Sequence, residues 1–389
     1  MERYRRITLS VGVLMFVDAS LYLAVLPLLP RYVDRFGLST LGASVVLAAY
    51  PISVPFVSFA CVALVPRVGA RRITLVSALL ITVATAIFGW APNVQTLVLA
   101  RFVQGLASGT IWTASMAWVT DNAPADRRGQ ESGIVMGLLS AGSIAGPGIG
   151  ALAAVIGSGV AFGMVAAIAA VGVVFTLIAP AGRAVVGERR MWSAMVRGGR
   201  QPATLAALAI TVIDLSAFGA VNLLVPIRLG HEGRSVAAIA AALAGGAVLG
   251  ALVGPAAGRL VDRVGAAQVG LIAAFAVAAC PVVLIFTESS DVQLAVLLIG
   301  GPLFSVVGAS MFPLSSLGAD RARVSHVTVM GLMGAVWAGG YTLVPLLIGG
   351  VAQVASAPLA FLLAVAICVP PLAVLARSRR ILAASAAAG

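Results

Sequence analysis

Stretch after stretch of this chain runs for about twenty residues or more with almost no charge, and that pattern limits its folding more than any motif does. A helix crossing the hydrocarbon core of a bilayer needs about 20 apolar residues. Twelve candidate spans of that kind occur, at roughly 7–30, 40–65, 73–91, 94–120, 131–156, 160–180, 203–228, 235–257, 266–287, 291–318, 324–350 and 356–376. Only 10% of residues are charged and 61% are hydrophobic, whereas a soluble domain is about a quarter charged. So few charges cannot cover a water-exposed surface, which excludes a soluble enzyme, and the same figures exclude a disordered chain. The expected fold class is an all-α membrane protein of twelve transmembrane helices.

The net charge of +12 comes from 25 basic residues, all of them Arg. They cluster in the short breaks between apolar runs, as charges that set topology do, and imply no nucleic-acid partner. Placing the N-terminus inside puts twenty Arg on the inner side and four (Arg31, Arg35, Arg228 and Arg234) on the outer side, with Arg101 inside a span. Both termini and the central break are therefore expected in the cytoplasm. An Arg-rich, Lys-free composition with abundant Ala and Gly suggests a bacterial source, hence the cytoplasmic (inner) membrane. The first apolar run is too long for a signal peptide and carries an acid. Cys61, Cys280 and Cys368 lie in or at the ends of apolar runs with no metal-ligand spacing, and are expected to be buried thiols.

The longest polar break, 181–202, holds Arg183, Arg189, Arg190, Arg197 and Arg200 and divides the spans six to six. The expected organisation is an N-terminal bundle over 1–180, a basic cytoplasmic linker over 181–202 and a C-terminal bundle over 203–389. The halves repeat. At a shift of 196 residues Asp18 falls on Asp214, Pro30 on Pro226, and Leu64-Val65-Pro66-Arg67-Val68-Gly69-Ala70 on Leu260-Val261-Asp262-Arg263-Val264-Gly265-Ala266, matching at six of seven positions. Duplicated six-span halves are the architecture of secondary transporters, with the solute site near the membrane midplane between them.

Three charges fall well inside expected spans: Asp18, Arg101 and Asp214. Each costs about 2.5–3.5 kcal/mol or more at the bilayer centre. Asp18 and Asp214 each lie 11 residues past the start of a span, about 16 Å deep in a core of about 30 Å. Two acids at matched depth in matched repeats are expected to face a shared cavity; the plain alternative is a structural acid paired to Arg. An acid there suits proton carriage, because its neutral form is far cheaper to hold in lipid than its charged form. Arg101 sits about 6 Å from Asp18 in depth, within the reach of an Arg side chain, so an Asp18–Arg101 interaction is possible and proton or solute could compete for it. Tyr22 lies one helical turn beyond Asp18, and Phe218 and Asn222 one and two turns beyond Asp214. Arg101, Gln104, Ser108, Trp112 and Ser115 share one helix face, and Trp337 and Tyr341 another. The candidate solute-binding set is Asp18, Tyr22, Arg101, Gln104, Trp112, Asp214, Phe218, Asn222, Trp337 and Tyr341, with the serines read as helix-packing contacts.

Four short patterns add a resemblance. The break after the eighth span reads Gly258-Arg259-Leu260-Val261-Asp262-Arg263-Val264-Gly265, with Gly265 placed for a tight turn. In its counterpart Pro66 replaces the acid, while Arg67, Gly69, Arg71 and Arg72 remain. The fourth span carries Arg101-Phe102-Val103-Gln104-Gly105, and the fifth carries Gly133, Gly142, Gly146-Pro147 and Gly150. The first has Asp18 ahead of Pro27 and Pro30. Together these resemble the major facilitator superfamily, and within it the twelve-span drug:proton antiporter branch, over nearly the whole chain. The resemblance implies two pseudo-symmetric six-helix bundles, proton coupling through Arg101 and the first-span acid, and an inner gate made by Arg67, Gly69, Gly258, Asp262, Arg263 and Gly265. Asp121 matches a family acid that partners the loop Arg, so a pair with Arg67 or Arg71 is expected. The glycines of the fifth span mark exporters in that family, and Pro147 is expected to bend that helix against the opposite half.

The expected activity is thus proton-driven export of a small lipophilic compound, cationic or neutral, because the three intramembrane charges sum to −1 when all are ionised. The expected partners are solute, protons and lipid, with no metal, no cofactor beyond the proton gradient, and a monomer as the working unit. The alternatives are a proton symporter or facilitator for a nutrient on the same fold, and, in another class, a membrane sensor or scaffold. With His231 and His326 both in breaks between spans and no phosphate-binding loop, neither enzyme chemistry nor an ATP motor is expected.

Overall fold

The computed structural model describes residues 3–124, 128–181, 191–324 and 326–387. Among them the chain is helical, with no strand. Successive helices are α1 (Arg3–Ala24), α2 (Leu29–Phe36), α3 (Thr40–Val68), α4 (Ala70–Gly89), α5 (Val94–Thr110), α6 (Met116–Asn122), α7 (Arg128–Ile156) and α8 (Ser158–Ile178). They continue as α9 (Met191–Gly199), α10 (Pro202–His231), α11 (Val236–Val264), α12 (Ala266–Ile285), α13 (Ser290–Ala322), α14 (His326–Val354) and α15 (Ala357–Ala387). The chain forms two compact units. One holds Met1–Leu38, Val45–Gly187 and Ser235–Ala244, the other Ser39–Ser44, Glu188–Arg234 and Gly245–Gly389.

Among the described residues eleven helices are long and apolar enough to cross a membrane. The expected fourth span is the one outside that set. Its chain is helical from Val94 to Asn122, but a π-helical turn at Ile111–Ser115 separates a 17-residue α5 from a seven-residue α6. The first span also departs from expectation. Pro27 and Pro30 withhold two backbone donors, so α1 gives way to a 3₁₀ turn at Leu26–Leu28 before α2 carries the chain on to Phe36. Part of the expected linker is helical: α9 buries Ala194, and Gly198 approaches Val329 of α14. Residues 182–190 of that linker lie outside the described set.

Gly69 and Gly265, equivalent in the repeat, have φ of 92° and 96° and begin α4 and α12. That left-handed backbone is open to glycine at little cost and strained for any other residue.

Two glycine seams place the helices that carry the candidate site. On α7, a Cβ added at Gly142 would strike the Phe16 carbonyl; one at Gly146 would stand 2.8 Å from the Ser20 carbonyl oxygen; one at Gly150 would stand 2.6 Å from the Pro27 ring. The Ser20 hydroxyl donates across the seam to the Gly142 carbonyl at 3.2 Å. The seam gives the close helix approach expected of the motif's glycines a partner. Gly142, Gly146 and Gly150 let α7 close on α1 of the same unit, because their shared face is turned toward that helix, while Gly133 faces open space. Pro147 is buried inside α7. The second seam is on α5, where a Cβ at Gly105 would overlap the Tyr50 carbonyl and one at Gly109 would stand 2.5 Å from Val57. Small residues of this kind are what allow membrane helices into close contact.

Candidate functional site

The close approach of α5 to α3 and of α7 to α1 brings Asp18, Tyr50, Arg101 and Trp112 together in the first unit. Asp18 is buried, at 4% exposure, and holds two donors: the Tyr50 hydroxyl on one carboxylate oxygen and the Trp112 indole Nε1 on the other at 3.1 Å. Trp112 lies in the π turn, which re-registers the helix face there. Such turns recur at functional sites. Ser108, one turn earlier and buried, adjoins both Asp18 and Tyr50. Trp112 itself is 44% exposed, so the indole covers the acid and presents its own outer surface.

Arg101 is fully buried. Its Nη1 donates to the Leu21 carbonyl at 3.4 Å and to Gln104 Oε1 at 3.2 Å, and Gln104 in turn donates to Thr85 at 3.3 Å. The guanidinium lies over the Tyr50 ring, 4.5 Å from its centroid, and 6.0 Å from that of Phe88. Among the described residues its Nε and Nη2 have no hydrogen-bond partner. Asp18 and Arg101 therefore do not form an ion pair. Depth alone put the two within reach, but the ring of Tyr50 occupies the space between them. Tyr22 packs on the same ring, 5.6 Å away.

Tyr50 is the functional residue that the sequence reading missed. The available signal was its position about ten residues into the second span, since Tyr in membrane helices concentrates at the interfaces rather than the middle. Glu131 was also missed. It is 1% exposed in the first turn of α7 and accepts a 2.5 Å hydrogen bond from Thr8 of α1, closing one end of the α1–α7 seam.

In the second unit Asp214 sits on α10, a helix buried along most of its length. It is as buried as Asp18, at 4% exposure, yet among the described residues its Oδ1, sealed from solvent, has no hydrogen-bond partner. The Cys368 thiol of α15 donates to the carbonyl of the preceding residue, Ile213, at 3.7 Å. The matched repeat positions thus differ in environment, and Asp214 lacks the polar company that Asp18 has. Phe218 is buried against α13, 3.0 Å from where a Cβ would stand at Gly300. Asn222 is half-buried. On α14, Trp337 and Tyr341 stack edge to face at 4.5 Å, beside Gly340, which receives Leu215 of α10.

The expected inner gate is not assembled from the described side chains. Asp262 and Arg263 are both exposed and neither makes an ion pair among the described residues. Successive positions on a helix point about 100° apart, so the two side chains diverge. Arg67 is exposed, and Gly258 meets open space. Arg71 donates to the carbonyls of Thr176, at 3.1 Å, and Leu177 at the end of α8. The Asp121 side chain lies outside the described residues.

The sequence profile of the Major Facilitator Superfamily matches residues 8–328. The chain belongs to that superfamily. Curated relatives include the MFS-type transporter C18.02 of Schizosaccharomyces pombe, 31% identical over 144 residues, which are 36% of this chain and 32% of that protein. The MFS-type transporter ppzB of Metarhizium rileyi is 30% identical over 145 residues, 36% of this chain and 30% of its own length. The quinolone resistance protein NorA of Staphylococcus aureus is 26% identical over 125 residues, 32% of each chain. The matched part thus spans about a third of each relative. Solved structures share the fold over nearly the whole length. A bacterial homologue of the human lysosomal transporter Spinster, in inward-facing and occupied form, superposes with a TM-score of 0.76 at 14% identity, covering 98% of both chains. A mutant of the nucleoside transporter NupG does so with a TM-score of 0.73 at 14% identity, covering 96% of this chain and 99% of that one. This protein is accordingly a multi-pass membrane protein of the superfamily, with eleven helices among the described residues long and apolar enough to cross a bilayer.

Proposed function

We propose that the protein is a proton-coupled antiporter that exports a small lipophilic compound, cationic or neutral, by alternating access. The observation that carries this reading is Asp18, a membrane-buried acid held by two hydrogen-bond donors beside a buried Arg101. A carboxyl held this way can exist charged or neutral at modest cost in either state, which is what a proton carrier needs. The fourth-span and fifth-span motifs and the partial similarity to NorA, a quinolone resistance protein, support export of a drug-like solute.

In the proposed cycle the solute enters from the cytoplasm while Asp18 is ionised, and it is released on the far side. Protonation from outside then neutralises Asp18 and permits the return. Trp112 offers an aromatic surface over the acid, and Tyr22 lies next to it. Asp214, for which no hydrogen-bond donor is found among the described residues, serves as a second proton site. The membrane is a bacterial cytoplasmic membrane with both termini inside, and the monomer is the working unit.

Inverted membrane vesicles test the reading. With an acidified lumen, a fluorescent lipophilic cation should accumulate in the lumen and stop accumulating when the proton gradient is collapsed. Asp18→Asn should abolish that gradient-driven uptake while the protein still inserts. Undiminished uptake by Asp18→Asn sinks the assignment of the proton site, and solute moving out of the lumen with the protons indicates symport instead.

A further inference from the structure

Asp18 and Arg101 are the two buried charges of the first unit's candidate site, yet they form no ion pair. Between them stands a residue that touches both. The Tyr50 hydroxyl donates to Asp18, and the Tyr50 ring carries the Arg101 guanidinium at 4.5 Å from its centroid. Tyr50 is 1% exposed, and its backbone is clamped by Gly105, one residue after Gln104, so its position is set by the same helix that supplies Arg101.

We propose that Tyr50 is a positioning residue that couples the proton site to Arg101, so that the arginine acts on Asp18 through the phenol rather than by an ion pair. A cation over an aromatic face draws on the ring's electrons. The phenol hydroxyl then becomes a stronger donor, and hydrogen bonds in a low-dielectric interior polarise one another in series. Arg101, with two guanidinium nitrogens lacking partners among the described residues, is free of competing ion pairs there and keeps its charge available to the ring. The groups facing Asp18 are Tyr50 of α3, Arg101 and Ser108 of α5, and Trp112 of the π turn. Tyr22, one turn along α1, packs on Tyr50. Of these only Arg101 carries a fixed charge, so its influence and the Tyr50 hydrogen bond together set the protonation balance of the acid.

The inference rests on Asp18 as proton site, and its test needs neither solute nor gradient. Purified full-length protein is titrated by infrared spectroscopy, with the Asp18 carboxyl band assigned by its loss in Asp18→Asn. Tyr50→Phe keeps the ring under Arg101 and removes one donor to the carboxylate. It should move the titration midpoint of that band to more alkaline pH by about one to two pH units. Arg101→Gln should also move it alkaline. The two shifts should be strongly non-additive in the double variant, because the arginine's effect has lost its carrier. A midpoint unchanged in Tyr50→Phe overturns the proposal, as do shifts that simply add. If Arg101→Gln does not fold, Arg101→Lys, which keeps a charge but not the planar group over the ring, takes its place in the same double-variant cycle. Failure of antiport would appear separately, as absent gradient-driven flux in the unaltered protein with the infrared shifts intact.

Discussion

At the scale of single residues, equal sequence register does not give equal chemistry. Asp18 and Asp214 match at one constant shift and are equally buried, yet among the described residues one has two donors and the other none. The reason is that a carboxyl's partners come from other helices, and the two halves differ in sequence there: Gly246 stands where the repeat would place a counterpart of Tyr50. Asp18, Arg101 and Gln104 were legible because charge and amide groups stand out in an apolar run, and Trp112 because it falls in register with Arg101 and Gln104 on one helix face. Tyr50 was not, because an aromatic in a membrane helix carries no mark of the face it occupies.

Outside the spans, Glu232 follows α10 and ties it to α13, accepting from the Ser290 hydroxyl and, at 2.9 Å, from Gln293. Its slight burial raises its pKa, but those hydrogen bonds and the charges of Arg228 and Arg234 outweigh that and hold the carboxyl below its ordinary value of 4.5. A group whose pKa is lowered by folding contributes stability above its unfolded value and loses it as pH falls through the folded one. The unaltered protein should therefore lose melting temperature below about pH 4, and Glu232→Gln should flatten that part of a thermal-shift profile. An identical acid limb in both would remove Glu232 from the account.

At the scale of elements, the glycines of α7 work by contact rather than by flexibility. Three of them admit α1, so the helix that carries Asp18 is seated by the fifth-span motif. Gly146→Val would push β-carbon and methyl groups into the Ser20 carbonyl and Leu23, which stand 2.8 and 2.9 Å from a single Cβ. Overpacking of this kind costs about 1–3 kcal/mol. The variant should unfold several degrees lower in a detergent thermal-shift assay, whereas Gly133→Ala, on an open face, should not. Equal melting of both would mean that the seam is not what the glycines serve. The glycine spacing was visible in the sequence, but the partner was not, since a face defined by every third or fourth residue does not say which neighbour it meets. The same holds for the loop arginines. Counting them indicated topology, but only the structure showed Arg31, Arg35 and Arg71 donating to carbonyls near the ends of α7, α4 and α8, where a helix terminus favours a cation.

At the scale of the whole molecule, the distribution of arginines makes a topological prediction. A cysteine introduced at Gly233 should react with a membrane-impermeant maleimide added to intact cells, and one introduced at Arg259 should react only in inverted vesicles. The three native thiols are buried and should contribute little background. Reversed labelling would overturn the orientation and, with it, the direction of the proposed cycle. The succession of spans and the two-fold repeat followed from the sequence alone. Hydropathy belongs to each segment separately, and a lipid core leaves an apolar segment little choice but a helix with its own backbone bonds satisfied. Which side chains meet was decided only by tertiary packing. Each residue turns a helix face by about 100°, so an apolar run is compatible with any rotation about its axis, and only close approach at Gly105 and Gly142 set the rotation that brings Tyr50 between Asp18 and Arg101.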